Sequence, residues 1–241
     1  MVYNWLKNIQ SLIYPPTCVL CGADGAFGRD LCTGCHSDLP HNHHCCSICA
    51  LPLPESAAGL VCGRCSRKRP LFDRCLAAFH YTSPADELIQ ALKFRRRLSH
   101  ARLLGNLMAD YLERRLDSDE HPDLLLPVPL HPRRLRERGF NQAIELARPI
   151  AQRFNIPLFH SACRRTRVTP LQTGLSALER RRNLRNAFTL SRFGHRDYVA
   201  IIDDVVTTGS TTNELARVLK RSGVARVEVW CACRTPQPSD R

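Results

Sequence analysis

Four Cys-x-x-Cys pairs crowd one short stretch of this chain: Cys18 with Cys21, Cys32 with Cys35, Cys46 with Cys49, and Cys62 with Cys65. Nine of the thirteen cysteines lie between Cys18 and Cys65. A Cys-x-x-Cys turn aims two thiolates at one ion, and two such turns complete a tetrahedral four-sulfur site. Glycines at 22, 34 and 63 ease the tight turns. Ten residues separate the first two pairs and twelve separate the last two, so two structural Zn2+ sites in series are expected, with an interleaved pairing as the alternative. Cys45 competes with Cys46 as a ligand, and His36, His41, His43 and His44 are close enough in sequence to compete too. Both sites read as closed, because a catalytic zinc keeps one position open. A redox use of the pairs is the rival reading. Cys75, Cys163, Cys231 and Cys233 read as ordinary buried thiols.

No apolar run approaches the eighteen or so residues of a membrane span. Near the N-terminus, Trp5, Ile9 and Leu12 fall one helical turn apart, with Leu6 and Ile13 beside them. The segment lacks the long apolar stretch and small-residue cleavage site of a signal peptide. It reads as a short amphipathic docking helix, and the chain as cytoplasmic. In such a compartment, paired cysteines serve metals more often than disulfides.

Beyond residue 70 the pattern changes. Residues 71–81 suit a strand leading out of the cysteine module. A helical hood over 84–115 follows, with Leu88, Leu92, Leu104, Leu107, Met108, Tyr111 and Leu112 on its apolar face and an interruption at 95–100. From 122 to 241 strands alternate with helices. DLLLPVPL is a buried strand, HPRRLRERG a basic loop, and Asn141 caps the helix NQAIELARPIAQRF. A short strand near 156–163 and a long arginine-rich loop over 164–186 come next. YVAIIDD is a strand, TTGSTTNELARVLKRSG a helix and ARVEVWCACR the last strand. Such alternation argues for an α/β fold, a parallel sheet flanked by helices. The expected division is a cysteine module over 1–70 and an α/β domain over 71–241.

The net charge of +13 is concentrated. Between Arg133 and Arg196 stand fifteen arginines and no lysine, against Glu137, Glu145 and Glu179, a surplus of +12. A one-signed block of this length attracts a polyanion, and the planar guanidinium grips phosphate in a bidentate way that lysine does not. The surplus exceeds what one diphosphate needs. It supports single-stranded DNA as a second partner, bound through backbone phosphates with little sequence preference.

The segment Tyr198–Glu214 carries the sharpest chemistry. Asp203 and Asp204 sit at the carboxyl end of a strand, where open α/β sheets place their ligands. Thr207, Thr208, Gly209, Ser210 and Thr211 then open a helix. Small hydroxyls, a glycine and free helix-end N–H groups suit a phosphate. The acid pair suits vicinal sugar hydroxyls, reached directly or through Mg2+. An apolar strand ending in two acids also fits a nucleotide hydrolase, but that needs a glycine-rich loop with Gly-Lys, and the chain contains no Gly-Lys dipeptide.

The run DDVVTTGST resembles the signature of type I phosphoribosyltransferases. That resemblance implies that Asp203 and Asp204 contact the ribose hydroxyls of phosphoribosyl pyrophosphate (PRPP), and that Thr207–Thr211 hold its 5′-phosphate. By the same resemblance, Arg133, Arg134, Arg136 and Arg138 line a pyrophosphate loop, and the 164–186 segment is a lid carrying Gln172, Arg181 and Arg185. The order of motifs is more specific still. A cysteine-pair module precedes ELIQALKF, LPVPLHPRRLRERGFNQA, RRTRVTPLQTGLSALERRRNLRNAF and DDVVTTGST. Together they are similar to the competence protein F (ComF/GntX) family over essentially the whole chain. Membership implies a phosphoribosyltransferase-like fold with a double zinc ribbon and a role around DNA uptake or use of external DNA. A transferase step on an unidentified acceptor is compatible with the resemblance. So is a single-stranded-DNA-binding adaptor for DNA-uptake proteins, with a regulatory or inactive sugar-phosphate site.

Overall fold

The computed structural model describes residues 15–117, 120–161, 163–165, 187–190 and 194–236. The docking helix expected before residue 15, and Gln172, Arg181 and Arg185 of the expected lid, lie outside the described residues.

The cysteine module carries two single-turn helices, α1 (Thr33–Ser37) and α2 (Gly63–Arg67). The α/β part then runs β1 (Arg74–His80), α3 (Ala85–Arg95), α4 (Leu98–Glu113) and β2 (Leu124–Pro127). It continues through α5 (Pro132–Arg138), α6 (Gln142–Phe154), β3 (Cys163–Arg165) and β4 (Phe188–Leu190). It ends with β5 (Tyr198–Val206), α7 (Ser210–Arg221) and β6 (Arg226–Arg234). Four strands form one parallel sheet in the order β1-β6-β5-β2. β3 and β4 make a separate antiparallel pair.

Alternation along the strands sorts the core into two layers. Val199, Ile201, Val227 and Val229 point into one, together with Leu215 and Leu219 of α7 and with Cys46, Cys49, Cys62 and Cys65. Ala200, Ile202, Trp230 and Leu125 point into the other, with Leu88, Leu104, Met108, Leu146 and Ile150 from α3, α4 and α6, and with Cys18 and Leu31. The two cysteine tetrads therefore serve opposite faces of the sheet. Where α4 crosses α6, a Cβ on Gly105 would come within 2.7 Å of the Leu146 carbonyl and 2.8 Å of Pro149. Only glycine permits that approach.

Three sequence expectations change. The basic stretch HPRRLRERG is a helix rather than a loop. His131 caps it by accepting from the Arg133 N–H, Pro132 occupies its first turn, and Gly139 ends it at φ +84°. The strand expected over 156–163 reduces to a single parallel bridge between Leu158 and Leu125, followed by the short β3. The interruption over 95–100 narrows to Arg96, in the left-handed region at φ +53°, and Arg97. Asn141 caps α6 as expected, accepting from the Ala143 N–H at 3.0 Å.

Candidate functional site

The thiols assemble in series. The Sγ atoms of Cys18, Cys21, Cys32 and Cys35 all lie within 4.8 Å of one another, as do those of Cys46, Cys49, Cys62 and Cys65. A tetrahedron of sulfurs about 2.3 Å from a zinc has edges near 3.8 Å. The Cys21–Cys32 and Cys49–Cys62 separations are 3.7 Å. Four soft donors at that spacing fit a closed zinc site, so the interleaved pairing is ruled out.

Backbone N–H groups tune the thiols. At Cys18 burial works upward, but the N–H groups of Cys32, Cys21 and Leu20 outweigh it and lower the pKa to about 6. At Cys46 burial is likewise outweighed, by the N–H groups of Cys62, Cys49 and Ile48, and the pKa falls to about 7. One thiol of each tetrad thus ionises readily, while Cys35 is raised by its hydrogen bond with Cys21 and Cys65 is raised by burial. The second tetrad is wholly buried, whereas Cys21 of the first is exposed.

Cys45 stands outside the second tetrad, and burial pushes its thiol up. No described histidine joins either set. His41 instead stacks on His43 with ring centres 5.3 Å apart and leans on Phe79 at 5.2 Å. Of the turn glycines, Gly22 follows Cys21 at φ +78°. Gly34 and Gly63 lie in the single-turn helices α1 and α2. The residue that matches Gly22 in the second site is Ala50, held at φ +53°.

The acid pair lies inside β5, which runs on to Val206. Asp204 is only 4% exposed, and a carboxylate so deep needs a partner. Lys93, from α3, supplies it through an ion pair to Oδ2. Burial alone would lower the lysine pKa, but the Asp204 carboxylate more than offsets it, and the Lys93 pKa is raised. Burial also works to raise the Asp204 pKa, and the Lys93 charge and hydrogen bond reverse it, so Asp204 titrates below its ordinary value. Asp203 goes the other way. Burial, reinforced by the Asp204 charge, raises it well above 3.8.

Lys93 stands within the motif ELIQALKF, to which the sequence assigns no role. Its signal was rarity: only Lys7, Lys68, Lys93 and Lys220 are lysines in an arginine-rich chain. Lys93→Met strands a buried carboxylate, and breaking such a pair costs about 3–5 kcal/mol. With its folded pKa lowered, Asp204 contributes stability above the ordinary carboxylate range and loses it as pH falls through its folded value. Raised Lys93 contributes below its ordinary range and loses it as pH rises through its folded value. The window of full contribution spans neutral pH. The expected result is a lower melting temperature for Lys93→Met at pH 7 and a smaller deficit at pH 5, where the stranded Asp204 takes up a proton. Paired melting curves at the two pH values read it directly.

The four arginines of α5 divide by face. Arg133 is exposed and pairs with Glu137 at 3.0 Å, and Arg136 is exposed. Arg134 and Arg138, one turn apart, are half-buried. Burial lowers the Arg138 pKa while the Asp204 charge opposes the shift. At Arg165 burial and Arg134 lower the pKa, opposed by Asp203. Both acids therefore lie in the field of the inward-facing arginines.

The TTGST turn follows β5 at once. Gly209, at φ +73°, is the N-cap of α7 and offers no side-chain cap. A Cβ there would meet nothing closer than 3.8 Å, so the glycine is required by conformation and not by space. The Thr208 and Ser210 hydroxyls share a hydrogen bond of 2.7 Å. No described residue accepts from the N–H groups of Thr207, Thr208 or Gly209.

The carbonyls of this turn are taken from the other side. Arg234, 2% exposed, donates from Nη1 to the Val206 carbonyl at 2.9 Å and to that of Thr207. Its Nε donates to the Cys49 carbonyl at 3.0 Å. Arg64, from the Cys62–Cys65 turn, donates from Nη2 to the Thr208 carbonyl.

A parallel sheet with an acid pair and a hydroxyl-glycine turn toward its carboxyl end, carrying two four-cysteine sites, defines an α/β protein of the zinc-ribbon type. Residues 9–66 match the family model described as the double zinc ribbon domain. The DNA utilization protein YhgH of Escherichia coli K12 is 40% identical over 227 residues, covering 93% of this chain and 99% of that protein. Competence protein F of Haemophilus influenzae is 35% identical over 226 residues, covering 90% and 96%. Competence protein ComFC of Bacillus subtilis is 27% identical over 237 residues, covering 88% and 92%. The chain belongs to the competence protein F family. No helix among the described residues is long and apolar enough to cross a membrane.

Proposed function

We propose that this protein binds PRPP together with Mg2+ at the β5–α7 junction and acts in the uptake or use of external DNA. The observation that carries the reading is a run of three N–H groups, on Thr207, Thr208 and Gly209, that have no acceptor among the described residues and stand two residues after the acid pair. Three adjacent N–H groups at a helix N-terminus suit a phosphate monoester. Asp203 and Asp204 then meet the ribose hydroxyls, while Arg134 and Arg138 face the diphosphate. The acid pair would supply the protein oxygens for magnesium, which when bound would neutralise diphosphate charge. The division into a zinc module over 1–70 and a sugar-phosphate-binding domain over 71–241 belongs to this reading. So does the role in external-DNA use, which rests on the names of the YhgH and competence protein relatives.

A ligand that binds only the folded state raises its melting temperature. PRPP with Mg2+ should raise it more than ribose 5-phosphate or pyrophosphate with Mg2+, because only the whole molecule spans turn, acids and arginines. Equal shifts for all three, or none, would count against the reading.

One surface favours a second activity beside the first. Arg96 Nη2 donates to the Glu137 carbonyl at 2.7 Å, which ties the α3–α4 junction to α5. Exposed Arg95, Arg96 and Arg97 thus adjoin exposed Arg133 and Arg136, with Phe94 77% and Leu135 43% exposed among them. Cations interleaved with an aromatic ring suit single-stranded DNA. Binding should weaken with salt at a log–log slope of about −0.7 per phosphate contacted. Replacing Arg95, Arg97 and Arg136 by glutamine should flatten the slope by about two units, measured by fluorescence anisotropy over a salt series. A slope that does not change would remove this surface from the account.

A further inference from the structure

We infer that the second zinc ribbon positions the phosphate turn, with Arg64 and Arg234 as the positioning residues; this rests on the PRPP reading of the turn and extends it to the metal site. Peptide bonds are planar, and in the trans form each C=O points opposite to the N–H that follows it. The one cis bond among the described residues is Ser83–Pro84. Fixing the carbonyls of Val206, Thr207 and Thr208 therefore aims the N–H groups of Thr207, Thr208 and Gly209 the opposite way. All three carbonyls are fixed, two by Arg234 and one by Arg64.

Each arginine is anchored in the second tetrad. Arg64 sits between Cys62 and Cys65, in a turn whose shape the sulfurs set. Arg234 arises from β6 and joins the turn to the Cys49 carbonyl, so its guanidinium bridges zinc ribbon and phosphate turn. A third tie comes from the chain just after the ribbon. The Leu71 N–H donates to Asn213 Oδ1 at 2.6 Å, within the first turns of α7. Arg234 is buried and has no carboxylate partner among the described residues; its bonds go to the carbonyls of Cys49, Val206, Thr207 and Thr235. A charge placed so holds backbone in shape. Among the described residues the first tetrad makes no such contact, and it packs on the opposite face of the sheet. The two zinc sites thus divide the work: one braces the α3–α4–α6 layer, and the other sets the direction of three amides.

The test uses full-length protein with both zincs and the variants Arg64→Ala and Arg64→Lys. Zinc content is measured first and should stay at two per chain, because Arg64 is not a ligand. Nitrogen-15 relaxation of the Thr207, Thr208 and Gly209 amides is then measured without ligand. Order parameters should be about 0.85 in the wild type and below about 0.6 in Arg64→Ala. Arg64→Lys, which keeps one charged donor, should fall between. Affinity for PRPP with Mg2+ should drop about tenfold in Arg64→Ala, as expected for loss of one charge-assisted hydrogen bond. Unchanged order in Arg64→Ala would overturn the inference. If the wild type binds no PRPP while the order still falls, the brace stands and the ligand assignment fails.

Discussion

Asp203→Asn should make the ligand-free protein more stable and remove its response to PRPP. Burial and the neighbouring Asp204 charge raise the Asp203 pKa well above 3.8. A group whose folded pKa is raised contributes least at high pH: stability is lost as pH climbs from the unfolded value through the folded one. At neutral pH the carboxyl therefore opposes folding. An asparagine of the same shape carries no charge to desolvate and can donate to Asp204. Removing strain of this kind at a functional site commonly gains about 0.5–2 kcal/mol, which is roughly 2–6 °C in a protein of this size. The gain should shrink toward pH 4, where Asp203 is protonated anyway. PRPP with Mg2+ should no longer raise the melting temperature of the variant. A variant less stable than wild type at pH 7 would show that Asp203 serves the fold.

The second large effect separates the two metal sites. Cys62→Ser should leave a chain that does not fold, whereas Cys21→Ser should fold and hold one zinc. Zinc contributes about 10–16 kcal/mol to the folding of small four-ligand modules, as much as or more than the whole stability of a typical domain. The second tetrad is buried in the same layer as Val229, Leu215 and Leu219, so its loss opens the sheet core. Cys21 is exposed at the edge of the first tetrad. Soluble yield, far-ultraviolet dichroism and zinc content per chain report the contrast. Equal damage from both substitutions would contradict it.

Much of this was legible in the chain itself. Spacing marked the four Cys-x-x-Cys turns, because each is local, and favoured pairing in series; the choice against the interleaved pairing and against Cys45 came only with the fold. The strand through Asp203 and Asp204 and the helix after Gly209 were legible because they too are local. The charge density of α5 is that of a basic loop, but its capping is that of a helix. His131, Pro132 and Gly139 mark a helix start and stop, and arginine, leucine and glutamate are good helix formers. The ties that shape the site left no periodic trace. Lys93 reaches Asp204 from a different element. Arg64 is 144 residues from Thr208, and Arg234 is 185 from Cys49. Contacts of that range are set by how the sheet and its two covering layers close together.

In the proposed function the β5–α7 junction takes PRPP through its acid pair and its turn. Calorimetric titration of PRPP into the zinc-loaded protein, with and without Mg2+, tests it most directly when repeated on Asp203→Asn/Asp204→Asn. The expected result is one saturable site per chain in the wild type, tighter with Mg2+, and no measurable site in the double variant. No binding by the wild type, or equal binding by both proteins, would contradict it.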